Sequence, residues 1–296
     1  MTYTPVIELK NVTFKYKNCD KFALENVNFQ VAQGDFVLLV GYSGSGKSTL
    51  LKTLNGLIPH FYSGLFGGDV KLFGESIAEK KTAQLAKTIG FVFQNPENQL
   101  SALTVEREIA FPLENFAIPR QEIRRRVNEI IALLDLEKIQ DKSPFAISGG
   151  EQQLTAIGSA LALDPPILVF DEITSHLSPQ SATKIIKKIA ELNREQGKTV
   201  ILSEHRLDRN LQYVTKIAYI ESGQLKAFGP PREVLHNKNY PLELYPRITS
   251  LYEQLKKVTD NFAILPEKHR KQLLAVPEPL TIDDFLLFIK GGRESV

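Results

Sequence analysis

Alternation comes first along the chain. Val6-Ile7-Glu8-Leu9-Lys10 and Val27-Asn28-Phe29-Gln30-Val31 set apolar and polar side chains on opposite faces, the period of half-buried strands. Gly34-Asp35 then turns into Phe36-Val37-Leu38-Leu39-Val40, an unbroken apolar run that reads as a strand buried on both faces. Thr49 to Leu54 reads as a helix. From about Asn95 to Leu163 the period changes: Ile123, Val127, Ile130, Ile131 and Leu134 recur at helical spacing within Glu122 to Leu136. Glu151 to Leu163 predicts a second helix, which Asp164-Pro165-Pro166 stops. Strand patterns resume at Ile167 to Phe170, Thr199 to Leu202 and Ile217 to Ile220, with a helix at Gln180 to Leu192 between the first two. The expected class is therefore α/β, a parallel core interrupted by a helical insertion at about 95–163. After Gly229-Pro230-Pro231 the pattern becomes loop and helix, punctuated by Pro241, Pro246, Pro266, Pro277 and Pro279.

Composition narrows the class without naming a function. The 296 residues are 43% hydrophobic and 24% charged, enough for a full α/β core and a smaller subdomain. A formal charge of +2 gives no broad electrostatic footprint for nucleic acid, so none is expected as a partner. The single cysteine, Cys19, has no second thiol to pair with, and a reducing compartment is the natural expectation. The first residues lack the basic and apolar regions of a signal peptide. No apolar run approaches the ~18 residues that cross a bilayer. The sequence thus reads as soluble, reaching any membrane process by docking onto another chain.

Chemistry enters at Gly41-Tyr42-Ser43-Gly44-Ser45-Gly46-Lys47-Ser48, which matches G-x-x-x-x-G-K-[ST] without a gap, between a strand and a helix. Its glycines let backbone N–H groups of Gly41, Ser43, Gly44, Ser45 and Gly46 close around phosphate oxygens at a helix N-terminus. Lys47 reaches the β- and γ-phosphates, the Ser48 hydroxyl ligates Mg²⁺, and Thr49 follows in the first turn. Alone, this motif says only nucleoside triphosphate. Downstream, the apolar strand at Ile167 to Phe170 ends in Asp171-Glu172. Asp171 there can hold Mg²⁺ beside Ser48, and Glu172 can polarise an attacking water as general base. A third segment, Ile147-Ser148-Gly149-Gly150-Glu151-Gln152, lies just ahead of a helix and offers a second anion site. By itself it would be an N-cap; a chain with one phosphate loop has no evident use for another in the same pocket.

In this order and spacing the three segments resemble those of the ATP-binding-cassette (ABC) ATPases, whose Leu-Ser-Gly-Gly-Gln type signature lies between the phosphate loop and the acidic strand. The resemblance covers roughly residues 5–235. It implies a P-loop NTPase (RecA-like) parallel-sheet core with an N-terminal antiparallel β subdomain and an inserted helical subdomain. The cassette would span 1–235, followed at 236–296 by a small C-terminal helical extension. It also implies that Ser148, Gly149 and Gly150 serve the nucleotide held by a partner subunit and that Tyr16 stacks on adenine. Gln94, in Phe93-Gln94-Asn95-Pro96, would sense Mg²⁺ and the attacking water, and His205 would contact the γ-phosphate. ATP and Mg²⁺ are the implied cofactors.

Phe93 to Gln99, Asn55 to His60 with the glycine-rich Ser63 to Gly68, and Glu204-His205-Arg206-Leu207-Asp208 are similar to the ATPase subunits of energy-coupling factor (ECF) vitamin and metal importers. That implies a second ABC ATPase subunit, a multi-span membrane scaffold, a separate substrate-capture protein, and a peripheral place on the cytoplasmic face of the membrane. The alternative is a soluble ABC ATPase acting on ribosomes or DNA; one phosphate loop and no sustained heptads weigh against it. Three departures stand out. Ile173 replaces the family's usual proline, Ser178 its usual aspartate, and Leu154 a frequent basic residue. Ser178 favours a heterodimer, because two such loops would weaken both sites of a homodimer.

Overall fold

The computed structural model describes residues 5–205, 207–237, 240–247, 249–252, 267, 279–281 and 284. The opening alternation builds β1 (Ile7–Tyr16), longer than the five residues its pattern suggests. Ile7 and Leu9 point inward, then Val12 and Phe14 do. The extra residue is a bulge, marked by a register shift between Leu9 and Val12 and by Asn11 at φ 51°. A bulge flips the alternation, so a period-2 reading stops there although the strand continues to Tyr16. β1 pairs antiparallel with β2 (Leu24–Val31) and, after the phosphate loop, with β4 (Gly64–Leu72), which pairs with the short β5 (Glu75–Ser76). The order β2-β1-β4-β5 is the antiparallel β subdomain expected at the N-terminus.

The second sheet has the order β10-β9-β3-β8-β7-β6. Its members are β3 (Phe36–Val40), β6 (Ile89–Val92), β7 (Ile167–Asp171), β8 (Thr199–Ser203), β9 (Lys216–Glu221) and β10 (Gln224–Gly229). All pairings but β9 with β10 are parallel. Every residue of β3, β7 and β8 is buried, as continuous apolar runs require. Phe36, Leu38 and Val40 face one core, and Val37 and Leu39 the other, which lies against the antiparallel sheet. α1 (Lys47–Leu54) follows β3, and the short α2 (Leu57–His60) and α3 (Thr82–Leu85) flank β4 and β5.

Between β6 and β7 lies the helical insertion: α4 (Val105–Asn115), α5 (Arg120–Leu134) and α6 (Gly149–Leu161). Gly158 lets the three helices meet closely, since a Cβ there would lie 3.1 Å from side-chain carbons of both Ile109 and Ile130. The buried Glu108 of α4 accepts from the backbone N–H groups of Ser101 and Ala102 at 2.8 and 2.7 Å, fastening the chain that leaves β6 to the insertion. α7 (Pro179–Gln196) returns along the sheet on Ile185, Ile186, Ile189 and Leu192, each burial contributing about 1.5–3 kcal/mol. α8 (Pro231–Leu235) follows β10. Most of the expected 236–296 extension, and Arg206 of the Glu204 to Asp208 match, lie outside the described residues.

Candidate functional site

Parallel strands deliver the site. The chain leaves the carboxyl ends of β3, β8, β7 and β6, four neighbours in the sheet, at one edge, where ligands of open α/β sheets bind. β3 runs into the loop Gly41 to Gly46, β8 into Glu204-His205, β7 into Asp171-Glu172, and β6 into Phe93-Gln94. Residues spread over 165 positions of sequence are thereby brought together.

The loop after β3 needs its glycines. Gly44 and Gly46 have φ of 76° and 109°, and a Cβ on Gly46 would lie 2.5 Å from the Ala23 carbonyl oxygen. Ser45 is buried, its hydroxyl without a hydrogen-bond partner, while Ser43 is exposed at the rim. The Lys47 ammonium, with only 3% of its side chain exposed, donates to the Gly41 and Tyr42 carbonyls at 3.0 and 3.1 Å and lies 3.3 Å from Glu172 Oε1. A loop that gathers a buried cation, N–H groups and an unpartnered hydroxyl is a phosphate cradle.

Glu172 is the meeting point. Its Oε1 is 2.9 Å from His205 Nε2, and its Oε2 accepts from Gln94 Nε2 at 3.2 Å. Its backbone sits at φ 49°, a conformation non-glycine residues rarely adopt and one concentrated at functional sites. The strain is held by Ser203, whose carbonyl and hydroxyl oxygens both accept from the Glu172 N–H, at 3.1 and 3.0 Å. Ser203 also donates its hydroxyl to Asp171 Oδ1 at 2.8 Å, beside the Ser48 hydroxyl, which donates to the same oxygen at 3.0 Å. Burial pushes the Asp171 carboxyl above its ordinary range, opposed by those two hydroxyls. A hydroxyl and a carboxylate this close form a hard-oxygen pair that fits Mg²⁺, whose remaining ligands come from phosphate and water. Among the described residues no group of three His, Cys, Asp or Glu forms a protein-only metal cage.

Tyr16 closes the site on the β subdomain side. Its hydroxyl is 3.1 Å from Thr49 Oγ1, and its ring packs edge-on against Phe14 and Tyr62 at 4.8 and 6.3 Å. Ser148, Gly149 and Gly150 stand outside this hydrogen-bonded network. Ser148 caps α6 in a reciprocal box with Glu151, and a Cβ on Gly149 or Gly150 would meet Leu177 at 3.7 Å or Ser181 at 3.2 Å, so the segment packs on the chain that follows Glu172. Sequence reasoning missed Ser203 and Glu204. Ser203 is the polar residue that ends a buried strand two positions before His205, a placement that could have flagged it. Glu204 is buried and accepts from the Thr174 hydroxyl and N–H at 2.6 and 3.2 Å, tying the His205 loop to the Glu172 loop.

The family model described as ABC transporter matches residues 24–175, from β2 through the phosphate loop and the Ser148 segment to Ser175. The chain belongs to the ABC transporter family. It is similar to an ABC transporter ATP-binding protein of Pyrococcus abyssi, 39% identical over 264 residues that make up 88% of this chain and 94% of that protein. It is likewise similar to the energy-coupling factor transporter ATP-binding protein EcfA1 of Mycoplasma mobile, 40% identical over 79% of this chain and 84% of that one. A Methanosarcina acetivorans relative is longer: the 39% identical match covers 88% of this chain but 43% of the relative. Among solved structures, CbiO1 of Clostridium perfringens, described as part of the ABC transporter complex CbiONQ, superposes with a TM-score of 0.72 at 26% identity, covering 88% of this chain and 99% of that one. A dimeric ATP-binding cassette bound to ADP and phosphate superposes at 0.66 with 33% identity, covering 76% and 98%. This ABC chain is thus an ATP-binding subunit with ATPase chemistry and ECF-type similarity, built on the P-loop NTPase fold. No helix among the described residues is long and apolar enough to cross a membrane.

Proposed function

We propose that this subunit drives an ECF-type importer of a vitamin or metal by ATP-dependent closure of a cassette dimer on the cytoplasmic face of the membrane. The observation that carries the mechanism is Glu172 held between Lys47, His205 and Gln94. Phosphate entering the Gly41 to Gly46 loop competes with Glu172 for Lys47. Once Lys47 turns to the β- and γ-phosphates, Glu172 is free to take a proton from the attacking water. Gln94 orients that water, and His205 contacts the γ-phosphate and keeps the Glu172 carboxylate in place. Ser48, Asp171 and Gln94 would hold Mg²⁺, which when bound neutralises phosphate charge. Tyr16 stacks on adenine. Ser148, Gly149 and Gly150 present N–H groups to the nucleotide of the facing subunit, so each nucleotide is sandwiched at the interface.

The facing subunit in this reading is a related ATPase rather than a second copy. Ser178 caps α7, its hydroxyl accepting from the Ser181 N–H at 3.2 Å. It supplies no charge toward the opposite site, where the family's aspartate helps shape the water position. The similarity to EcfA1 and to a member of CbiONQ supports a multi-span membrane scaffold and a separate substrate-capture protein as further partners. Purification of the tagged chain from detergent-solubilised membranes tests this. Recovery of a multi-span protein together with a second ABC ATPase is expected; recovery of ribosomes or DNA in place of membrane protein would refute the assignment.

A further inference from the structure

The second residue of the phosphate loop reaches a turn far along the chain. The Tyr42 hydroxyl donates to Glu243 Oε2 at 3.3 Å, across 201 positions. The Tyr42 carbonyl accepts from Lys47 at 3.1 Å, so one residue joins Glu243 to the phosphate-binding cation. Glu243 lies in the single turn Leu242–Leu244, and that turn is anchored. Tyr240, buried just before it, packs its ring 5.1 Å from fully buried Tyr219 of β9 and donates its hydroxyl to the Leu244 carbonyl at 3.2 Å. Beyond the turn, the Arg247 N–H donates to Asp208 Oδ1 at 2.6 Å, three residues past His205.

We propose that residues 240–247 form a clasp that holds the phosphate loop in register with the His205 loop, with Tyr42 and Glu243 as positioning residues for Lys47. The physical reason lies in the loop itself. Gly44 and Gly46 leave it conformational freedom that must be lost when it closes on phosphates. A tether at Tyr42 removes part of that freedom beforehand, which strengthens nucleotide binding without touching the nucleotide. The segment just beyond the turn is also tied to the His205 loop through Asp208, so the two phosphate-facing loops share one support. Nothing in the phosphate-loop motif requires this, since its second position accepts any residue.

The proposal rests on the chain being an ATPase, and equilibrium binding of a fluorescent ATP analogue to the full chain separates the two ideas. Failure of the unaltered chain to bind would count against the ATPase assignment, not the clasp. Tyr42→Phe and Glu243→Ala should each weaken binding by about three- to tenfold, as expected for one lost ordinary hydrogen bond. The double variant should be no weaker than the weaker single, because both act through one contact. Glu243→Gln, which keeps an acceptor oxygen, should recover most of the affinity. KM for ATP should rise in step while kcat at saturating ATP stays near its original value, a split that general loss of folded protein would not produce. Unchanged affinity in either single variant, or effects that multiply in the double, would overturn the clasp.

Discussion

Replacing Glu172 by Gln should do two opposite things to this ABC ATPase. It removes the carboxylate proposed to take the water proton, and general-base loss costs about 10²–10⁴-fold in rate. It also releases Lys47. Lys47 Nζ and Glu172 Oε1 are 3.3 Å apart, with side chains 3% and 12% exposed. At an effective dielectric of 20, that separation corresponds to about 5 kcal/mol of attraction. Desolvation of two largely buried charges offsets most of it, leaving a net interaction of roughly 1 kcal/mol. A phosphate that no longer competes with Glu172 should therefore bind about fivefold more tightly. Gln keeps the volume of Glu and an acceptor for the Gln94 amide, so the loop should hold its shape. The assay pairs steady-state phosphate release with equilibrium binding of Mg-ATP. Near-normal turnover would sink Glu172 as the base, and ATP binding weakened more than tenfold would refute the competition for Lys47.

Three further outcomes follow from the same geometry. Lys47→Ala should weaken ATP binding by at least about tenfold, because the cradle loses its charge-assisted donor; titration showing unchanged affinity would contradict a working phosphate loop. Burial pushes Glu204 above the ordinary carboxylate range, opposed by its bonds to Thr174, so its ionisation opposes folding. Stability is then fullest below the range in which the unfolded Glu ionises and falls as pH rises through the raised one. Glu204→Gln should melt about 2 °C higher near pH 8 and lose that advantage near pH 4; a pH-independent difference in calorimetry would refute the charge argument. Ser178→Asp should raise hydrolysis by this chain purified without a partner, since aspartate caps α7 equally well and restores the charge; brisk hydrolysis by the unaltered homodimer, unimproved by the substitution, would remove the case for a heterodimer.

The chemistry was more legible in the sequence than the architecture that assembles it. Lys47, Ser48, Asp171 and Glu172 follow from contiguous motifs, because a phosphate loop and an acidic strand end are local features. Tyr16, Gln94 and His205 came from resemblance; the structure brings Gln94 and His205 against Glu172, and Tyr16 against Thr49, next to the phosphate loop. Their neighbourhood was not readable: it depends on β3, β8, β7 and β6 lying side by side, a pairing order that hydrophobic period does not encode. The partners of Ser203 and Glu204 were hidden for the same reason, since Asp171 and Thr174 are 32 and 30 positions away. The bulge at Asn11 hid half of β1 from the alternation rule. The Tyr42 to Glu243 contact links residues whose local sequence gives neither a reason to meet.

The chain from Glu172 to Ser178 ties these observations together. Glu172 begins it, bound to Lys47, Gln94 and His205. Thr174 fixes its next turn to Glu204, the neighbour of His205, and the Ser175 hydroxyl donates back to the Glu172 carbonyl at 2.9 Å. Leu177 then packs at Gly149, and Ser178 caps α7. These contacts connect the Glu172 backbone, within six residues, to the Ser148 segment and to the start of an 18-residue helix. Where the family usually places proline, Ile173 keeps this path stiff by different means. Proline would fix φ covalently. Ile173 is 1% exposed and packs in the same core as Phe170 and Ile185, so its conformation is set by neighbours on β7 and α7. That connection then rests on core packing rather than on a ring, in a core shared between β7, which ends in Asp171, and α7.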